Sequence, residues 1–97
     1  MAVEHQVWFK FNPGVTPERI AFHMANLAAL KSKVPGVIDL KLGKNFTERA
    51  PAGVTHGLAV TVASREALKT YLEHPDHVAA AKPIRADGEV FAVDFEF

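Results

Sequence analysis

The segment that decides the fold is VEHQVWFKF, residues 3–11, in which apolar and polar side chains alternate. One side of it carries Val3, His5, Val7, Phe9 and Phe11, and the other carries Glu4, Gln6, Trp8 and Lys10. Alternation with a period of two is typical of a β-strand that buries one face. We therefore predict a first strand here, with the Val3 side against the core.

A helix is predicted directly after this strand. Asn12, Pro13 and Gly14 break the alternation, and Thr16 followed by Pro17 is typical of an N-cap and a first helical residue. Apolar residues then recur at helical spacing until Pro35 and Gly36. They are Ile20, Met24, Leu27, Leu30 and Val34. One face of this helix is therefore expected to cover a sheet, while His23 is expected to meet water.

The remaining chain continues with strands and helices. Alternation predicts strands over residues 37–44, 55–62 and 89–97, and residues 45–53 are typical of an exposed loop. Ser64 is expected to cap a second helix. Pro75 is expected to start a short helical piece over residues 75–81, and Pro83 and Gly88 to close the connection after it. In the last strand we expect the more apolar side to face the helices, namely Phe91, Val93, Phe95 and Phe97.

The element order β-α-β-β-α-β predicts an α+β fold, the ferredoxin-like sandwich, as one domain over residues 1–97. Its antiparallel sheet should have the strand order 4-1-3-2, with two helices on one face. The other face, on this assignment, carries Trp8, Gly57, Ala59, Val90 and Ala92. This face is too apolar for open water, so we predict a homodimer in which two sheets pair.

Composition excludes several classes of function. Eleven basic and eleven acidic side chains give zero formal charge, which argues against nucleic-acid binding. Without cysteine the chain has no disulfide, thiolate metal site or cysteine nucleophile. No stretch approaches the roughly 20 apolar residues of a membrane span, so we expect a cytoplasmic protein. No cofactor is predicted.

Residues 71–77, YLEHPDH, form the densest polar cluster of the chain. A histidine such as His77 can exchange a proton near neutral pH, and the hydroxyl of Tyr71 can donate to a carbonyl oxygen that gains negative charge. Together they suit enolisation of a carbonyl compound. The alternative is structural, with Tyr71 packed against the sheet and Asp76 and His77 capping the short helix. Pro75 separates His74 from His77, so no metal site is predicted.

His5 and His56 stand on the apolar sides of two strands, where alternation calls for core residues. A buried imidazole needs a hydrogen-bond partner, so each ring either has a fixed protein partner or faces a polar ligand. Strands one and three are antiparallel, which places residues near both starts towards opposite ends of the sheet. One arrangement that remains open is a tunnel with Tyr71 and His77 above and both strand histidines below.

Several motifs taken together resemble the stress-responsive A/B barrel domain (Dabb) family over nearly the whole chain. They are His5 with residues 9–11 (FKF), residues 34–37 (VPGV), residues 43–45 (GKN), residues 55–57 (THG), residues 71–78 (YLEHPDHV) and residues 93–95 (VDF). The resemblance implies two ferredoxin-like subunits packed sheet to sheet as a dimeric α/β barrel, in agreement with the predicted homodimer.

The resemblance extends to a plant polyketide cyclase of this family, which performs an intramolecular aldol condensation. It implies that His77 is the base, that Tyr71 holds the carbonyl oxygen, and that His5 and His56 match that enzyme's strand histidines. Leu27 stands where the cyclase has a tyrosine bounding its alkyl pocket. We predict that His5, His56, Leu27 and Leu58 contact a small apolar or carbonyl-containing ligand.

Two further hypotheses stay open beside the cyclase or lyase-like enzyme. One is a noncatalytic dimer that binds a small ligand or acts in stress. The other is a purely structural dimer in which the histidines are satisfied core groups.

Overall fold

The computed structural model describes residues 1–97. Its strands are β1 (Val3–Phe11), β2 (Val37–Lys44), β3 (His56–Val62) and β4 (Gly88–Glu96). Its helices are α1 (Pro17–Ala28), α2 (Leu30–Lys33), α3 (Arg65–Glu73) and α4 (Pro75–Asp87). The predicted α+β ferredoxin-like fold is confirmed, and none of the helices is long and apolar enough to cross a membrane.

The predicted caps and turns are present. The side-chain oxygen of Thr16 accepts a hydrogen bond from the backbone N–H of Arg19, and that of Ser64 accepts one from Ala67. Each cap satisfies a backbone donor that the first helical turn leaves free. Gly36, which has a φ of 88°, turns the chain from α2 into β2.

The four strands form one antiparallel sheet in the order β2-β3-β1-β4, as predicted. The helices cover one face, which we call the helix face, and leave the other, the open face, uncovered. Val3, Val7 and Phe9 of β1 are buried on the helix face, together with Leu58 and Val60 of β3. The core is completed by Met24 and Leu27 of α1, Leu30 of α2, Leu68 of α3, and Ala80 and Ile84 of α4.

The predicted facing of β4 is wrong. The register pairs Trp8 with Phe91 and Gln6 with Val93, so these side chains share the open face. Phe95 follows them, since it pairs with Glu4. The helix face of β4 instead carries Val90, Ala92, Asp94 and Glu96. Alternation identifies two sides of a strand but does not say which one meets the helices, and here the more apolar side faces away from them.

The last helix starts at Pro75 as predicted, but the prediction that it covers only residues 75–81 is wrong. α4 continues through Pro83 to Asp87 and leads directly into β4 at Gly88. A proline inside a helix removes one hydrogen bond, the one to the carbonyl four residues earlier. That carbonyl belongs to Ala79, an exposed residue, so water can take the place of the lost donor. Burial of Ile84 one residue later favours the continued helix.

His23 was expected to meet water, but its ring is fully buried. Its Nε2 lies 2.6 Å from Oδ2 of Asp87, and the ring stacks at 6.0 Å on Phe11. Arg19 donates to the same carboxylate oxygen at 2.8 Å. Hydrogen bonds from His23 and then from Arg19 lower the pKa of Asp87. His23 therefore anchors the first helix to the end of α4.

Candidate functional site

A cavity of about 240 Å³ lies between the helix face of β1, β3 and β4 and the helices α1, α3 and α4. Nine of its 13 lining residues are hydrophobic. The four others are His5, His77, Arg85 and Asp94. A mostly apolar hollow with a few convergent polar groups is the usual form of a small-molecule site. We take this cavity as the candidate site.

One face of α4 forms the wall of the cavity. His77, Ala81, Ile84 and Arg85 all line it. Their positions correspond to i, i+4, i+7 and i+8, which fall on one side of an α-helix. The uninterrupted course of α4 through Pro83 is what places Arg85 in this row. A helix that ended at residue 81, as expected from the sequence, would not have placed Arg85 on the same face as His77.

His77 is held in one tautomer. Its Nδ1 lies 3.1 Å from the carbonyl oxygen of Leu72, and since a carbonyl oxygen only accepts, Nδ1 carries the proton. Nε2 of the neutral ring is then a free acceptor. Burial lowers the pKa of His77 below its ordinary value; the hydrogen bond to Leu72 opposes this effect, and the charges of His5 and Arg85 add to it. The residue is therefore available as a base at neutral pH.

Tyr71 packs between two histidines. Its ring centroid lies 4.7 Å from that of His77 and 6.1 Å from that of His5. The side chain is almost completely buried, and its hydroxyl has no hydrogen-bond partner. Burial raises the pKa of Tyr71 to about 12, so the hydroxyl keeps its proton and can donate it in a hydrogen bond. Tyr71 does not itself line the cavity but lies directly behind His5 and His77.

His5 is paired with a residue that sequence analysis missed. Its Nδ1 hydrogen-bonds to Oδ1 of Asp94 on the neighbouring strand, and both residues line the cavity. Asp94 escaped notice because β4 was assigned the wrong face. The signal that would have found it is the register, in which His5 and Asp94 are direct partners. The contact gives the buried imidazole the protein partner it needs.

The other predicted ligand contacts divide between two places. Leu27 and Leu58 line the cavity as expected. His56 does not line it. It pairs with Phe9, four residues and roughly 13 Å along β1 from His5. Its Nδ1 lies 2.9 Å from the hydroxyl of Thr55. Burial, followed by the charge of Lys44, lowers the pKa of His56.

His56 instead borders a second, more open cleft. This cleft has a volume of about 710 Å³ and extends over the open face beside the loop that follows β2. Trp8, Lys41 and Arg49 also line it. The arrangement in which both strand histidines form the floor of one tunnel is therefore wrong, because the antiparallel register separates them.

The structure gives His74 a local structural role. Its Nδ1 accepts a hydrogen bond from the backbone N–H of Asp76 at 3.1 Å and so caps α4. The cap is thus His74, whereas the structural alternative assigned it to Asp76 and His77. No group of three or more His, Cys, Asp or Glu side chains is placed to hold a metal ion.

Comparison with known proteins gives a consistent result. The family model for the stress responsive A/B barrel domain matches residues 3–97. Olivetolic acid cyclase from Cannabis sativa is 32% identical over 79 residues, which cover 80% of this chain and 78% of the cyclase. The similarity thus extends over most of both chains.

Solved structures share the fold. A crystal structure of an Arabidopsis thaliana protein superposes with a TM-score of 0.88 at 29% identity, covering 98% of this chain and 94% of that one. A dimeric ferredoxin-like protein from Jannaschia sp. superposes with a TM-score of 0.87 at 25% identity, covering 100% of both chains. That neighbour is a dimer, which is also the assembly inferred for this chain from the uncovered face of its sheet.

Proposed function

The chain belongs to the stress-responsive A/B barrel domain family, and we propose that it is a polyketide-cyclase-like enzyme acting on a small carbonyl compound. The observation that carries this proposal is the state of His77, whose Nδ1 is committed to Leu72 while Nε2 is free in the wall of an apolar cavity. The 32% identity with olivetolic acid cyclase supports the same reaction class.

The proposed reaction is an intramolecular aldol addition. Nε2 of His77 removes a proton from the carbon next to a carbonyl group, and the electron pair of that C–H bond forms an enolate. The enolate carbon attacks a second carbonyl of the same molecule, which makes one C–C bond and leaves an alkoxide. The imidazolium of His77 returns its proton to this alkoxide, so the step needs no co-reactant.

Tyr71 is proposed to stabilise the enolate oxygen. A protonated, buried hydroxyl without a protein partner is suited to donate to a developing negative charge in a low-dielectric site. The ring of Tyr71 packs against that of His77, but its hydroxyl is buried behind the cavity wall, so this role requires the hydroxyl to gain access to the cavity when a ligand binds. His5, held by Asp94, and the apolar side chains of Leu27 and Leu58 position the substrate.

The active form is proposed to be a homodimer. Val93 and Phe95 of the open face are each about half exposed in a single chain, and Trp8 and Phe91 lie beside them. A contiguous apolar sheet face of this kind is usually covered by a second subunit. The dimeric neighbour from Jannaschia sp. supports the same assembly.

The test is turnover of linear poly-β-keto acids and of their thioesters by the wild-type protein and by His77→Ala. We expect loss of at least ~100-fold in kcat for His77→Ala, the usual contribution of a general base. Glu73→Ala, an exposed residue of the preceding helix, serves as the control and should leave kcat unchanged. Equal rates for the wild type and His77→Ala would reject the proposed mechanism.

A second function is favoured by one observation, namely that Tyr71 lies behind the cavity wall and not in it. In a noncatalytic ligand-binding dimer, Tyr71 would only support His5 and His77. Apolar ligands would then raise the melting temperature of the wild type and of His77→Ala equally. Such a result, together with no turnover by either protein, would establish this alternative.

A further inference from the structure

Arg85 is the only residue of the cavity wall with a charge that is positive at every physiological pH. It is exposed and takes part in none of the ion pairs of the chain. The acidic group in the same wall, Asp94, is already bonded to His5. The guanidinium is therefore a free cation at the rim of an otherwise apolar hollow.

The position of Arg85 on α4 directs it towards His77. The two residues lie on the same face, eight positions and roughly 12 Å apart along the helix. Side chains of an α-helix lean towards its N-terminus, and seen from Arg85 this is the direction of His77. The positive charge of Arg85 lowers the pKa of His77, which is consistent with that closeness.

A guanidinium and an apolar chamber select for two properties of a ligand. The guanidinium forms paired hydrogen bonds with the two oxygens of a carboxylate, which a neutral amide or ester cannot reproduce with equal strength. The apolar wall formed by Leu27, Leu58 and Ile84 suits a hydrocarbon chain. The preference for a carboxylate and the preference for a hydrocarbon chain are both independent of the proposal that His77 acts as the base.

We propose that Arg85 is a specificity-determining residue, which binds the carboxylate of a ligand whose hydrocarbon chain occupies the cavity. The inference rests on the proposed function only in taking this cavity as the ligand site. It adds the substrate class, an acyclic carboxylate with an apolar tail, and places the carboxylate at the rim and the reacting carbons nearer to His77.

The experiment compares two unreactive probes of the same shape, octanoate and octanamide, by calorimetric titration. The variant is Arg85→Gln. The control is Lys82→Gln, which removes the same charge from an exposed position of α4 outside the cavity wall. Because neither substitution is in the core, both proteins are expected to fold, and their melting curves verify this.

We expect the wild type and Lys82→Gln to bind octanoate about tenfold more tightly than octanamide. Arg85→Gln should bind both probes equally, with the affinity for octanamide unchanged. In a parallel NMR titration, Arg85→Gln should raise the pKa of His77, because a neighbouring positive charge has been removed.

Three results would overturn the inference. They are a preference for octanoate that persists in Arg85→Gln, an equal loss of that preference in Lys82→Gln, and a wild type that does not prefer octanoate or binds neither probe. No turnover is required in this experiment. Failure of the proposed reaction would appear in His77→Ala and leave the probe affinities of Arg85→Gln unaffected, so the two proposals fail separately.

Discussion

The rings of Tyr71 and His77 lie with their centroids 4.7 Å apart, and the hydroxyl of Tyr71 is buried without a hydrogen-bond partner. A buried hydroxyl that makes no hydrogen bond costs about 1–3 kcal/mol of folding free energy. Such a cost is typical of functional sites, where a polar group is kept ready for a ligand. The unpaired hydroxyl of Tyr71 therefore lowers the stability of the folded protein and at the same time leaves a hydrogen-bond donor available to a ligand.

Tyr71→Phe tests this relationship. The substitution keeps the ring against His5 and His77 and removes only the unpaired hydroxyl, so we expect the free energy of unfolding to stay equal or to rise by about 1 kcal/mol. Turnover of a poly-β-keto substrate should fall, because the donor to the enolate oxygen is lost. Urea unfolding and steady-state kinetics measure the two effects. A loss of stability above about 1 kcal/mol would show that the hydroxyl is satisfied in the free protein.

The pKa of His77 predicts how stability depends on pH. Burial lowers this pKa in the folded protein, whereas the unfolded chain protonates His77 near the ordinary value of about 6.5. Below that pH the unfolded state binds more protons than the folded state, so stability falls as the pH drops towards the folded pKa. Above about 6.5 this contribution is constant.

Unfolding by urea between pH 5 and pH 8, in the wild type and in His77→Gln, measures this contribution. We expect the wild type to lose stability below about pH 6.5 more steeply than His77→Gln. His56 also has a lowered pKa and contributes in the same direction in both proteins, so their difference isolates His77. Parallel pH curves would contradict the assignment of a depressed pKa to His77.

Much of the fold was predictable because its signals are local. Alternation identifies β1 from residues 3–11 alone, and Thr16 and Ser64 begin their helices through contacts three residues away. The facing of β4 depends on its pairing with the distant strand β1; His5 and Asp94, for example, are 89 residues apart in the sequence. Most residues of β4 are exposed within a single chain, so the pattern of apolar and polar residues along this strand does not indicate which of its sides faces the helices.

The candidate site was predicted only in part, for similar reasons. His5 and Leu58 were found from strand alternation, Leu27 from the apolar stripe of the first helix, and His77 from the polar cluster over residues 71–77. Arg85 and Asp94 were missed, since one depends on a helix that continues past a proline and the other on strand register. His23 follows Ile20 by three residues, so helical spacing places it beside the apolar stripe, where the structure buries it.

The open face predicts an effect on assembly. Val93 is 44% exposed on that face, whereas Val78 is 48% exposed on the outside of α4. Val93→Asp should shift the protein to a monomer, because it places a charge without a partner in the proposed apolar interface. Val78→Asp is the matched control and should leave the dimer intact. Sedimentation velocity measures both, and a Val93→Asp dimer of wild-type strength would argue against pairing through this face.

Gly88 joins α4 to β4 close against the backbone of β1, and this closeness predicts a stability effect that no side-chain contact explains. A Cβ atom at this position would lie 2.2 Å from the carbonyl oxygen of Lys10 and 2.9 Å from Cα of Phe11. Both are backbone atoms of β1, so relief requires moving the strand pair. We expect Gly88→Ala to lower the free energy of unfolding by about 1–3 kcal/mol or more, the usual effect of overpacking.

Gly43→Ala is the control for this substitution, since a Cβ atom at Gly43 meets nothing within 4 Å. Gly43 also lies in a strand, where alanine reduces the entropy of the unfolded chain, so we expect little change or a slight gain in stability. Urea unfolding of both variants measures the difference. Equal urea midpoints for Gly88→Ala and Gly43→Ala would mean that β1 and β4 can move apart at residue 88 far enough to accept a Cβ atom while the rest of their pairing is kept. In that case Asp94, six residues further along β4, would be positioned by its bond to His5 and not by the junction.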